Sequence, residues 1–276
     1  MKHISLGVYR LLLIAILLSS SVFNLDAFSG NRQPLKLKVA TYNTGHFNQG
    51  RLGGLQGHGK FVKAELNNWK RWISKQSLDI IAVQEWNRYF DKDSVFVAED
   101  EILKPFYNNT YWGKETRWIH NGIATNYTLE NIHQVDWHGD YYAVIGDMVV
   151  DGVVVKVIST HIPWQKEWHE ESFNNLIELL SKFEYFICMG DMNASDATQK
   201  KFIEAGFNMA NGGNMGWFTT AQASVTADDY RGGVNYNIDN IITSSNIKIF
   251  NVKAPKTRLN DLDHLPVIAD LVITWQ

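Results

Sequence analysis

The chain has 276 residues, 45% hydrophobic and 20% charged, with a formal net charge of −3. That composition excludes a disordered or fibrous chain, and that length is enough to bury a large core. No dense Lys/Arg run supplies the basic stripe of a tight polyanion binder, and the single cysteine, Cys188, excludes an intrachain disulfide.

In chain order, Lys2 and Arg10 flank a short start, residues 11–18 are unbroken apolar, and small serines follow at 19–21. This is the build of a secretory signal peptide. The run is short of the roughly 20 apolar residues that a spanning helix needs. Residues 1–30 are therefore expected to be a signal peptide cut near 27–30, and residues 31–276 a single exported domain, periplasmic or secreted. Losing Lys2, Arg10 and Asp26 removes a net +1 and takes the formal charge from −3 to −4. Asn193-Ala194-Ser195 reads as a glycosylation sequon; a glycan there would cover a candidate site residue, which argues for a host that adds none.

Residues 35–43, 78–85, 142–150, 153–161, 185–191, 237–243, 247–252 and 265–273 read as strands, being apolar or alternating and rich in β-branched side chains. Asp151-Gly152 between two of them predicts a two-residue hairpin turn. Phe61, Val62, Leu66, Trp69, Trp72 and Ile73 make one apolar helix face, and Trp168, Phe173, Leu176, Ile177 and Leu180 another. A shorter helix is expected from Asp196 to Ala205, capped by Ser195 or Asp196 and stopped by Gly206. The expected fold is α/β, two packed mixed β-sheets flanked by helices, a four-layer sandwich.

Polar residues gather where these strands end: Asn43, Glu85, His161, Asp191 with Asn193, Asp239, and Asp263-His264 ahead of the last strand. Taken singly, each has a bland reading. The asparagines suit turns, Glu85 and Asp263 suit solvent, and Asp191 suits a cap. The remaining histidines, His46, His58, His120, His133, His138 and His169, read as structural. The glycine-rich stretch 45–59 matches no phosphate-loop spacing, and of the tryptophans near the site Trp164 is the candidate for stacking on substrate.

As an ordered set, Thr41-Tyr42-Asn43, Gln84-Glu85, Gly190-Asp191-Met192-Asn193, Ile238-Asp239-Asn240-Ile241 and Asp263-His264-Leu265-Pro266 resemble the motifs of the endonuclease/exonuclease/phosphatase superfamily. His161 at its strand end resembles the deoxyribonuclease and sphingomyelinase branch, in which Glu115 would correspond to its acidic partner. The resemblance implies phosphoester hydrolysis with Mg²⁺, or Mn²⁺ or Ca²⁺, held by Glu85 with Asn43 and Asp263 near its water shell. It implies catalytic roles for His161, Asp191, Asn193, Asp239 and His264, with either Asp191 or His264 as the base and Asp239 behind His264. The partner expected is a phosphate-ester substrate, nucleic acid among the candidates, bound by a monomer with no stable protein partner. Two departures stand out: Leu262 replaces the usual serine before Asp263-His264, and Gly122-Ile123-Ala124-Thr125-Asn126 lacks the arginine that usually ends that run.

Overall fold

A computed structural model describes residues 32–48, 61–116, 119–222, 235–259 and 263–275. The expected signal peptide at 1–30, most of the glycine-rich stretch, Trp118 and Leu262 lie outside the described residues. The elements are β1 (Leu35–Asn43), α1 (Val62–Gln76), β2 (Ile80–Gln84), β3 (Asn109–Trp112), β4 (Gly122–Thr125), β5 (Leu129–Asp136), β6 (Tyr142–Val150), β7 (Val153–His161), α2 (Lys166–Leu180), β8 (Phe186–Asp191), α3 (Asp196–Glu204), β9 (Asn208–Met209), β10 (Ala221–Gln222), β11 (Asn235–Tyr236), β12 (Asp239–Thr243), β13 (Ile247–Lys253) and β14 (Val267–Ile273).

Two mixed six-stranded sheets form among the described residues, ordered β13-β14-β1-β2-β4-β3 and β5-β6-β7-β8-β12-β9. Side-chain alternation builds the four layers. Ala40 and Tyr42 of β1 and Ile81 and Val83 of β2 pack with Leu66, Trp69, Trp72 and Ile73 of α1. Their in-between neighbours Val39, Ile80 and Ala82 are equally buried and face the other way, into the space between the sheets. In the second sheet, Ile158, Phe186, Cys188 and Ile242 pack with Phe173, Leu176 and Leu180 of α2 and Phe202 of α3. Cys188 is thus a buried core thiol, its pKa pushed far up by burial. Leu35–Thr274 form one compact unit; beside it the Trp275 indole N–H donates to the Gln33 carbonyl (3.0 Å). No helix among the described residues is long and apolar enough to cross a membrane.

Each sheet contains a parallel pair joined by a helix: β1 with β2 through α1, and β7 with β8 through α2. A parallel pair needs such a crossover, and its carboxyl ends are where open α/β sheets present ligand sites. Here the carboxyl ends of both pairs meet, because Asn43 at the end of β1 touches Asp191 at the end of β8.

Candidate active site

Strand register assembles the centre. His161 of β7 pairs with Asp191 of β8, which pairs across its other edge with Asp239 of β12. The three residues stand abreast. Asp191 receives the Asn43 side-chain amide at Oδ2 (3.1 Å) and the backbone N–H of Asn193 at Oδ1 (2.8 Å). His161 Nε2 lies 3.4 Å and His264 Nε2 3.8 Å from the same Oδ2. Asn193, at φ 46°, is turned back so that its amide meets His161 Nε2 (3.1 Å) and donates to the Ile162 carbonyl (2.9 Å).

His264 is oriented from behind: its Nδ1 is 2.8 Å from Asp239 Oδ2. Thr220 fixes both partners, its hydroxyl accepting from the Asp239 N–H (3.0 Å) and its carbonyl from the Leu265 N–H (2.6 Å). A buried amide network then ties β12 to α3. Asn240 donates to Gln199 Oε1 and to the Asn211 carbonyl, while Asn211 donates to the Asp239 carbonyl.

Burial sets the charges. Burial foremost, with the charges of His264 and His46, lowers the pKa of His161 to about 3, so its imidazole is neutral. Burial and then the charge of Asp239 raise Asp191 to about 8, against the pull of His264, the Asn193 N–H and Asn43. Burial also opposes charge on His264, yet Asp239 first, then Asp263 and Asp191, hold its pKa well above the usual imidazole value. The result is a neutral and a cationic imidazole on either side of a carboxyl of raised proton affinity.

These groups open into a cavity of about 510 Å³ lined also by His46, Glu85, Tyr141, Trp164, Gln165 and Trp168. Glu85 follows β2 at φ 47°, a conformation uncommon for a non-glycine residue and concentrated at functional positions. The carboxylate of Asp263 lies 3.9 Å from His264 Nε2. Glu85 and Asp263 are hard oxygen donors, which fits a divalent cation of the Mg²⁺ type. Asn43, expected near the metal's water shell, is fully buried, and its amide is spent on Asp191 and on the Gly45 N–H. Asp191, Asp239 and His264 also bring ligand atoms within 4.8 Å of one another and could hold an ion. All three are already hydrogen-bonded or ion-paired among themselves and their neighbours.

The expected acidic partner of His161 does not appear. His161 Nδ1 is buried without a hydrogen-bond partner among the described residues, whereas the charge of Glu115 is felt at His120 and Tyr142. Tyr141 instead packs edge-on against the His161 ring (5.0 Å between centroids). Tyr141, Gln165 and His46 were not legible as site residues. Nothing in their spacing marks them, and His46 reads as structural in the sequence. Trp164 stands 67% exposed at the rim, as a stacking residue would, whereas Trp86 is buried in the core.

No protein-family model matches the chain, and no curated protein matches it. Solved structures do. A humanized D. rerio TDP2 aligns with a TM-score of 0.63 at 12% identity, covering 86% of this chain and 98% of its own. An endonuclease/exonuclease/phosphatase from Bacteroides vulgatus gives 0.63 at 16% identity, with 86% and 98% covered. D. rerio TDP2 complexed with single-strand DNA product gives 0.62 at 12% identity over the same shares. The chain has the fold of the endonuclease/exonuclease/phosphatase proteins, the superfamily whose ordered motifs its sequence resembles.

Proposed function

We propose that this chain is an exported, metal-dependent phosphoesterase that hydrolyses phosphodiesters by attack of water, with nucleic-acid strands the first substrates to test. The observation that carries this reading is the buried Asp191 carboxyl. It sits at the floor of the cavity between neutral His161 and cationic His264, with Asp239 holding the latter. Asp191 in its ionised form is the base: burial and the charge of Asp239 raise its pKa to about 8, which makes the carboxylate a strong acceptor for a proton of the attacking water. His264, held as a cation, faces the non-bridging oxygens where charge builds up, while Asn193 positions Asp191 through its backbone N–H and His161 through its side-chain amide. His161 stands beside the base as a neutral imidazole, its Nε2 3.1 Å from the Asn193 amide and 3.4 Å from Asp191 Oδ2. Glu85 would hold the ion with Asp263 beside it; bound there, Mg²⁺, Mn²⁺ or Ca²⁺ neutralises phosphate charge and stabilises the leaving oxygen.

The D. rerio TDP2 complex with single-strand DNA product supports a nucleic-acid substrate. A small phosphate ester is the second reading. It is favoured by the cavity lining, in which no lysine or arginine appears among the described residues while Glu85, Asp140 and Asp191 do. The test is hydrolysis of plasmid DNA, RNA, sphingomyelin, inositol phosphates and bis-(p-nitrophenyl) phosphate with Mg²⁺, Mn²⁺ or EDTA, beside His264→Ala. Metal-dependent turnover that disappears in the variant is expected. Turnover that survives both EDTA and the variant would overturn the assignment.

A further inference from the structure

Gly45, His46 and Phe47 leave β1 with consecutive positive φ values of 51°, 53° and 58°. Left-handed residues ordinarily occur singly, because Cβ crowds the following carbonyl oxygen, so three in a row need support from elsewhere. Phe47 supplies it. Its ring is fully buried and packs 5.2 Å from Trp69, 4.7 Å from Trp86 and 5.2 Å from Phe90. Backbone bonds tie the turn to the end of β2: Thr44 N–H to the Gln84 carbonyl and His46 N–H to the Glu85 carbonyl, both 2.9 Å. With Phe47 driven into the core, His46 points the other way, into the cavity that Glu85 also lines.

The consequence is a specific pair: His46 Nε2 lies 3.5 Å from Glu85 Oε2. Both residues hold uncommon positive-φ backbones, on adjoining strand ends, and both line the same cavity. Two metal–ligand bonds of about 2.1 Å put nitrogen and oxygen roughly 3.4 Å apart at the tetrahedral angle of Zn²⁺ and roughly 3.0 Å apart at the octahedral angle of Mn²⁺, so the pair needs at most a small closure to share one ion. A surface ion pair would need no such backbone. We propose that His46 Nε2 and the Glu85 carboxylate are joint ligands of the divalent ion, so that the site selects Mn²⁺ or Zn²⁺ over Mg²⁺. Imidazole suits these borderline ions, whereas Mg²⁺ prefers oxygen and its own water. This inference rests on the reading of Glu85 as metal ligand and goes beyond it by naming the second ligand and the class of ion.

The test is calorimetric titration of the full chain with Mn²⁺ and, separately, Mg²⁺, with pulsed EPR of the Mn²⁺ complex. The variants are His46→Gln, His46→Asp and Glu85→Gln, each checked for folding by its melting curve in EDTA. The unaltered chain should bind Mn²⁺ at least about tenfold more tightly than Mg²⁺. His46→Gln should lose that preference and the nitrogen hyperfine coupling while keeping its Mg²⁺ affinity. His46→Asp, which restores an oxygen, should move the preference to Mg²⁺, a change that damage to the fold would not produce. Glu85→Gln should lose both ions. A Mn²⁺ preference and nitrogen coupling unchanged in His46→Gln would overturn the role of His46 and leave the metal reading of Glu85 standing. Undiminished binding in Glu85→Gln would overturn both.

Discussion

His161 shows how burial alone can decide what a residue does. Unfolded, its imidazole takes a proton near pH 6.5; folded, burial and its cationic neighbours delay that to about pH 3. Between those values the unfolded chain binds more protons, so this group makes the fold less stable as pH falls, by about 1.4 kcal/mol per pH unit. Asp191 acts in the opposite sense. Its raised pKa of about 8, against 3.8 unfolded, favours the fold at low pH and is lost as pH rises. The two slopes mask each other in the unaltered chain, so the difference from His161→Gln is the informative quantity. Glutamine can still meet the Asn193 amide but does not titrate. Urea unfolding in EDTA should show the variant gaining about 2 kcal/mol on the unaltered chain between pH 6.5 and pH 5. A difference that stays flat with pH would mean that His161 is not held neutral. Its position at a strand end was legible in the sequence; its state was not, because desolvation depends on what covers the ring.

At the scale of elements, the parallel pair β7–β8 carries the site and depends on a close backbone approach. A Cβ on Gly190 would lie 1.9 Å from the Thr160 carbonyl oxygen, a backbone atom that the neighbouring strand cannot withdraw. Gly190→Ala should therefore cost about 3 kcal/mol or more and spread His161 from Asp191, seen as a lower melting temperature together with lost turnover. Gly152→Asn in the open β6–β7 turn is the control: nothing lies within 4 Å, and asparagine tolerates left-handed backbone. That turn was readable from Asp151-Gly152, as were β1, β6 and β7 to the residue and the Ser195 cap of α3, whose hydroxyl accepts from the Thr198 N–H. Strands β3, β4 and β5 were missed for identifiable reasons. β5, Leu-Glu-Asn-Ile-His-Gln-Val-Asp, is a largely exposed edge with little apolar alternation, and β3 and β4 have four residues each. The β-propensity of so short a run is outweighed by the pairing partner, which composition cannot name.

At the scale of the whole molecule, the site lies on the seam between the two sheets rather than on either one. Asn43 and Glu85 come from the first sheet, His161, Asp191 and Asp239 from the second, and the Asn43–Asp191 bond crosses the gap. The motif set could be read in order because each member lies at or beside one end of a strand. Its convergence could not, since nothing in one strand records which sheet it joins. Beneath the site the seam is fastened by buried Gln84. Its Oε1 accepts from Thr41 Oγ1 (3.0 Å), and its amide donates to Ser159 Oγ on the other sheet (3.1 Å), which in turn donates to the Val83 carbonyl (3.3 Å). Replacing Gln84 by leucine removes the acceptor for Thr41 and the donor to Ser159 where all three side chains are fully buried, a loss of about 2–3 kcal/mol. If the seam works as a unit, the losses are not additive: Thr41→Val added to Gln84→Leu should restore part of the stability, because it removes the buried hydroxyl whose acceptor the leucine took away. A double-mutant cycle by denaturant unfolding measures this coupling. Turnover provides the second readout, because sheets that slide by a fraction of an ångström part Asn43 from Asp191 before either sheet unfolds. Gln84→Leu should thus lower kcat with KM little changed, and additive stability losses with unaltered kcat would show that the two sheets hold their alignment without this polar stitch.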